Sequence, residues 1–199
     1  MTEQEVFVLA DGTLNDVVAK IGDGQWDMRM PASFARRGEG EPPTLREIVN
    51  YHAYDDSWVP DMLAGKTMEE AGHDNFKGDL LRNDPKRAFA VVVDRACAAV
   101  RELKDLDFTV HTSFGDFSAR DYLIQITYFR GLRAHDIAKV IGVDPTLPAD
   151  LVQGLWDELS PVAEEWRQMG AFPPRVAVPD DAPLQDRLLG LTGRDPNAA

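Results

Sequence analysis

The chain has 199 residues, of which 44% are hydrophobic and 28% charged, as in an ordinary globular protein and unlike a disordered or fibrous one. A formal net charge of −13 argues against nucleic acids and anionic membrane surfaces as partners, because both carry negative charge themselves. No apolar run approaches the roughly 18–20 residues that span a bilayer, and a single cysteine excludes an internal disulfide.

The organisation of the chain favours one domain over residues 1–199, because it has no internal repeat, low-complexity tract or clear linker. Residues 172–199 are predicted to form an extended, proline-rich tail with one short turn. The first residues lack the basic start of a secretory signal, so the sequence predicts a cytoplasmic protein.

Four segments carry apolar residues at helical spacing, and the predicted helices begin after Thr2, Thr44, Asp84 and Ser118. Glycines end the first and the fourth of them, near residues 22 and 142. Helices of about 18–24 residues with apolar stripes are typical of bundles. The sequence therefore predicts an all-α, up-and-down four-helix bundle with an additional C-terminal helix and an extended tail.

The connections between these helices also have recognisable patterns. A polar loop is predicted over residues 26–43, and a second loop over residues 64–83 with one short turn. The alternating segment 108–117 indicates a short hairpin or extended corner. A fifth helix is predicted over residues 150–169, kinked or split at Pro161.

Polar residues interrupt the apolar stripes of the second and fourth predicted helices. His52 and Asp55 are three residues apart on one helix, and Arg133 and Asp136 repeat that spacing on the other. Residues at this spacing project from one face of a helix. Burying such groups without partners costs several kcal/mol, so they are expected to meet one another, water or a ligand. The sequence thus predicts a polar pocket between these two helices.

A purely structural role competes with each of these interpretations. His52 fits a satisfied core or boundary histidine, and Arg133 fits a buried ion pair with Asp136 or Asp55 that fixes helix register. Asp56 and Arg130 are expected to reach solvent.

Two further residues receive a structural prediction only. His135 is expected at the surface of the fourth helix. Cys97 lies beside an apolar stripe and is expected to act as a small hydrophobic side chain.

Three motifs make the chain resemble the DinB-like superfamily and, within it, the group of mycothiol-dependent maleylpyruvate isomerases: residues 25–27, 44–49 and 188–196. The likeness extends over nearly the whole chain. It implies an up-and-down four-helix bundle, commonly dimeric, and often a divalent metal held by three side chains on the second and fourth helices.

The chain departs from that metal-binding pattern at all three positions. The resemblance aligns Tyr51 with the ligand on the second helix, and Arg133 and Phe129 with the pair on the fourth. Phenylalanine cannot bind a metal, tyrosine is a poor ligand at neutral pH, and a guanidinium repels a cation. A shift of one residue brings in His52 but leaves the second pair broken. A lost metal site is therefore expected.

Two functional hypotheses follow, and a third protein class stays open. The first is a bundle that binds a small molecule or an anion, with Arg133 as the cation and a pocket formed by Tyr51, His52, Asp55, Phe129 and Asp136. The second is a mycothiol-dependent transferase or isomerase. In it, either an unorthodox metal site forms from His52, Asp55 and a group on the fourth helix, or the reaction runs without metal, with His52 as the general base and Arg133 stabilising negative charge. The third is an interaction protein that only dimerises. No cofactor is predicted from the residues; mycothiol or a divalent metal is possible by the resemblance.

Overall fold

A computed structural model of the protein describes residues 1–34 and 40–198. These residues form two compact units, one over residues 2–145 and a smaller one from residue 146 onward. The predicted loop over residues 26–43 lies partly outside the described residues. The prediction of a single domain over residues 1–199 stays a prediction.

The larger unit is predominantly helical, which confirms the predicted all-α class. Two strands, β1 and β2, form its one hairpin among the described residues. In chain order the elements are α1 Glu3–Val18, α2 Leu45–Leu63, α3 Met68–Ala71, α4 Pro85–Glu102, β1 Thr109–Thr112, β2 Gly115–Ser118 and α5 Ala119–Ile141.

Local capping explains why the predicted starts of the long helices are correct. Thr2 and Thr44 each accept a hydrogen bond from the backbone N–H three residues on, and the glutamate there bonds back, which is a capping box. Asp84 caps α4, whose first residue is Pro85. α5 ends at Gly142 with a φ of 74°, a left-handed conformation that glycine adopts without strain.

The long helices contact one another in four pairs: α1 with α5, α1 with α4, α2 with α4, and α2 with α5. Near the start of α1, Glu3 forms an ion pair with Arg120 at the start of α5. Beyond its other end, the side chain of Gln25 donates to the carbonyl of Ile141 at 3.2 Å. Helices α1 and α5 therefore run in the same direction.

Helix α1 runs opposite to α4, and α2 runs opposite to α5, so α2 and α4 share one direction. The side chain of Gln4 in α1 donates to the carbonyl of Val100 near the end of α4, at 2.8 Å. Met62, late in α2, packs in one cluster with Tyr122, early in α5. A strict up-and-down order would place α1 and α5 antiparallel, so that detail of the prediction is wrong. The long connection over residues 64–84 lets the chain cross back before α4, and lengthening a loop costs little.

A buried apolar cluster joins α2, α3, the hairpin and α5. Its members are Trp58, Met62, Ala71, Val110, Ala119 and Tyr122. Because this cluster fixes the hairpin against the end of α2, it sets the position of the hairpin tip that borders the candidate site described below.

The smaller unit contains three helices, α6 Ala149–Leu159, α7 Ala163–Gln168 and α8 Leu184–Leu191. The predicted fifth helix is split next to Pro161, as expected. The predicted tail contains the eight-residue helix α8 instead of a short turn. This helix buries Leu188, Leu189 and Leu191, and that apolar face explains its formation.

Among the described helices, none combines the length and the apolar character that crossing a bilayer requires.

Candidate functional site

Three charged residues meet in the interior of the larger unit. Asp11 of α1, Asp56 of α2 and Arg130 of α5 are each at most 1% exposed, and we call them the buried charge cluster. Nε of Arg130 donates to Oδ1 of Asp56 at 2.7 Å, and Nη2 bonds to the same carboxylate. Oδ1 of Asp11 lies 3.4 Å from Nε of Arg130. The guanidinium of Arg130 thus interacts with two carboxyl groups.

Burial and the neighbouring carboxylate together raise the pKa of Asp11 well above its ordinary value. Oδ1 of Asp11 and Oδ2 of Asp56 have no hydrogen-bond donor in the described part of the chain. A proton held on Asp11 and donated towards Asp56 satisfies both groups and leaves one negative charge for Arg130. The buried charge cluster is then neutral as a whole.

The expectation that Asp56 and Arg130 reach solvent is wrong. Both are buried because they pair with each other and with Asp11, which sequence reasoning missed. A signal for Asp11 did exist. It falls between Phe7 and Leu14 at helical spacing, an acidic residue within an apolar stripe, and that pattern requires a buried partner.

Cys97 borders the same cluster, with its sulfur 3.8 Å from Oδ2 of Asp11. Burial, followed by the charge of Asp11, raises the pKa of the thiol to about 12. A thiol in this state is inert, which agrees with the predicted role of a small hydrophobic side chain.

A second polar group forms one turn further along α5. Nε of Arg133 donates to Nε2 of His52 at 3.3 Å, and its Nη1 lies 3.6 Å from a carboxylate oxygen of Asp136. The guanidinium also lies 4.5 Å from the centre of the Phe34 ring. Of the two predicted partners of Arg133, the structure brings Asp136 to it and leaves Asp55 elsewhere.

His135, next to this group in sequence, is not at the surface as predicted. It is 6% exposed, and its Nδ1 lies 3.0 Å from the carbonyl oxygen of Pro145. The segment just after α5 therefore covers the ring of His135, which the helical pattern alone predicts to be exposed to solvent.

The residues around His52 do not fit a divalent metal. The ring nitrogen Nε2 already accepts a hydrogen bond from a guanidinium, so its lone pair is not available to a cation. Within residues 1–34 and 40–198, no three His, Cys, Asp or Glu side chains are grouped as metal ligands.

His52 is also poorly placed for acid–base chemistry. Burial lowers the pKa of its ring well below the ordinary value, and the positive charges of Arg133 and Arg130 lower it further. The ring is 1% exposed and lines neither cavity described below. A general base must reach the proton that it abstracts, and this ring has no such access.

One cavity of about 470 Å³ lies beside Arg133. Among the described residues, its lining has two arginines and two glutamates, and the charges of these four side chains balance. Arg29 pairs with Glu41 at 2.5 Å, and Arg133 faces Asp136. The lining residues are Arg29, Phe34, Glu41, Pro42, Pro43, Glu47, Ile48, Tyr51 and Arg133.

A second cavity, of about 320 Å³, opens between α2, α5 and the tip of the hairpin, and we call it the aromatic pocket. Six of its lining residues are aromatic and two are methionines, while two are charged. They are Tyr51, Tyr54, Asp55, Trp58, Met62, Met68, Thr112, Ser113, Phe114, Tyr122, Gln125, Ile126, Phe129 and Arg130.

The predicted pocket residues are distributed over both cavities. Tyr51 borders each of them, whereas Asp55 and Phe129 line the aromatic pocket. The rings of Tyr51 and Phe129 are 44% and 41% exposed at its mouth. Asp55 is half-buried in its wall, and burial raises the pKa of its carboxyl to about 6, although Arg130 opposes the shift. The single polar pocket that the sequence predicts is thus divided into two places.

The chain was compared with protein-family models, with curated proteins and with solved structures, and none of the three comparisons finds a match.

Proposed function

We propose that the protein binds a small organic molecule in the aromatic pocket. The observation that supports this most strongly is the combination of a cavity of about 320 Å³ with six aromatic residues and two charged ones among the residues that line it. Ligand sites are commonly concave and mostly apolar, and a small number of polar groups orients the ligand in them.

We also propose that the four long helices form a bundle in which α1 and α5 are parallel. The helix pairs that contact one another and the directions derived from them support this arrangement. The resemblance to the DinB-like superfamily also implies a four-helix bundle, although one with an up-and-down order, and ligand sites are common between the helices of bundles. Dimerisation, which the resemblance implies, is a further proposal.

Two features favour the aromatic pocket over the cavity beside Arg133. Arg133 is already opposed by Asp136 and engaged with His52, so it presents little positive charge to an anion. The transferase hypothesis needs an accessible base, and the burial of His52 argues against that role.

The test is a screen of small aromatic and aliphatic fragments by saturation-transfer NMR. In the pocket variant Gln125→Trp, a large ring on the wall is expected to fill the cavity. Val91→Trp is the matched control, because Val91 is 51% exposed on α4 and lies outside the lining.

We expect a set of fragments to bind the native protein and the control but not the Gln125→Trp variant. If no fragment binds the native protein, or if the same fragments bind all three proteins equally, the aromatic pocket is not a ligand site.

A further inference from the structure

The charges on the wall of the aromatic pocket are not balanced. Its two charged residues are Asp55 and Arg130. The guanidinium of Arg130 is directed into the buried charge cluster, where it bonds to Asp56, lies 3.4 Å from Asp11 and also donates to the carbonyl of Ile126. Little of its charge is therefore left for the pocket.

Asp55, in contrast, makes no hydrogen bond or ion pair with any residue that the structure describes. It is half-buried, and its neighbours in the pocket wall are mostly aromatic. Removing a carboxylate from water without a partner costs free energy, so a positively charged group next to the Asp55 carboxylate would be stabilising.

The faces of aromatic rings attract the same kind of charge. An ammonium group over a tyrosine or tryptophan ring is attracted to the negative face of the ring, and the attraction is stronger when the group is desolvated. Tyr51, Tyr54 and Trp58 line the pocket together with Asp55 from α2, and Phe129 lines it from α5. A carboxylate among several rings is a suitable environment for an alkylated ammonium, whose methyl groups are apolar and whose charge is diffuse.

We infer that the ligand of the aromatic pocket is an organic cation, a substituted ammonium whose charge meets the Asp55 carboxylate and whose substituents contact the surrounding rings. This inference rests on the proposed function and deepens it by naming the class of ligand. The net charge of −13 acts in the same direction, because a negative protein surface raises the local concentration of cations.

A metal ion is a poorer fit to the same wall. A divalent cation requires several strong oxygen, nitrogen or thiolate ligands, and this lining supplies one carboxylate beside neutral hydroxyl and amide groups and the cation Arg130. The volume of about 320 Å³ is at the small end of ligand pockets, which favours a compact ammonium over a large one.

Calorimetric titration with two matched probes tests the inference. The cation is (2-hydroxyethyl)trimethylammonium, and the uncharged probe is its carbon isostere, 3,3-dimethylbutan-1-ol. The two molecules have nearly the same shape, so the difference between their affinities reports the charge. We expect the native protein to bind the cation about tenfold or more tightly than the isostere.

Asp55→Asn should abolish this preference, because it removes the charge and retains the shape. Asp94→Asn is the matched control: it makes the same change of charge at an exposed position on α4 and should leave the preference intact. Phe129→Leu, at a half-exposed ring, should weaken binding of the cation several-fold, by about 3 to 10 times, and affect the isostere less.

The failures of the two proposals are distinguishable. Equal affinity for both probes, or an unchanged preference in Asp55→Asn, would overturn the cation inference and leave a neutral small-molecule site. Absence of binding by either probe also contradicts the inference, and the fragment screen then decides separately whether the aromatic pocket binds anything.

Discussion

Asp55 and Asp56 are neighbours in the sequence and lie on the same helix, but their surroundings differ sharply. Asp56 is fully buried, bonded to Arg130 and close to a second carboxyl, that of Asp11, whose pKa burial raises. Asp55 is half-buried on the wall of the aromatic pocket and has no partner among the described residues. A balanced buried charge fixes how helices pack, whereas an unbalanced one is available to a ligand.

The largest effect should come from Arg130→Met. This change leaves Asp11 and Asp56 without their cation in the interior, and breaking a buried pair in this way costs about 3–5 kcal/mol. We expect a loss of that size in the free energy of unfolding, measured by urea denaturation near neutral pH. Arg95→Met, at an exposed position on α4, is the control and should change stability little. A loss below about 1 kcal/mol would show that the cluster is less important than its geometry indicates.

The two carboxyls of the cluster should differ in a second, smaller effect. Asp56→Asn removes the main partner of Arg130 and should cost about 2–3 kcal/mol, because hydrogen bonds to charged groups are strong. If Asp11 holds the proton, Asp11→Asn preserves a neutral donor and should cost about 1 kcal/mol or less. Urea denaturation of both variants measures the difference. Equal losses would contradict this assignment of the proton.

In contrast to these variants, Asp55→Asn should raise the free energy of unfolding and so stabilise the protein. The raised pKa, about 6, means that the folded state favours the protonated carboxyl. Its contribution to stability is therefore present at low pH and is lost as the pH rises through about 6. Above that pH the variant should exceed the native protein by about 2 kcal/mol, and below about pH 4 the two should converge.

Urea denaturation across this range checks the expectation, with Asp94→Asn as a control that has no such pH dependence. A variant that is less stable than the native protein at about pH 8 would mean that Asp55 has a stabilising partner. A gain in stability together with a loss of cation binding is the expected behaviour of a residue retained for function.

The smallest expected effect is the change in affinity for the cation with pH. A quaternary ammonium keeps its charge at every pH, so its affinity should follow the ionisation of Asp55. Lowering the pH from about 8 to about 5 should weaken binding about tenfold, because protonation removes the attracting charge. Arg130 and Tyr122, which also face Asp55, hold one protonation state over this range, since burial raises the pKa of the tyrosine.

Calorimetry at several pH values measures this dependence, and Asp56, the remaining neighbour, stays paired with Arg130. The Asp55→Asn variant should show weak binding that does not vary with pH. A pH dependence that survives in this variant would assign the titration to another group.

Much of the fold could be predicted from local signals. The capping residues Thr2, Thr44, Asp84 and Ser118 fixed the starts of the long helices, and each of them accepts the expected hydrogen bond. The relative directions of the helices could not be read from the sequence, because they depend on which pairs contact one another. The loop over residues 64–84 accommodates either direction.

The site was predicted in outline and missed in detail for a related reason. Helical spacing grouped His52 with Asp55 and Arg133 with Asp136, and it correctly located polar groups between α2 and α5. Spacing does not show which of two neighbouring residues, such as Asp55 and Asp56, faces the interior. That depends on Asp11 in a third helix, which shares the guanidinium of Arg130. Contacts between residues so distant in sequence can be identified only from the three-dimensional structure.

The most direct test of the account is the titration of the Asp55 carboxyl carbon by NMR, with and without (2-hydroxyethyl)trimethylammonium. The assignment comes from comparison with Asp55→Asn. We predict a midpoint near pH 6 for the free protein, and a shift to lower pH when the cation is bound, because a positive charge favours the carboxylate. A midpoint near the ordinary aspartate value of about 4, unchanged when the cation is added, would contradict the claim that Asp55 is an unpaired carboxylate that binds a cationic ligand.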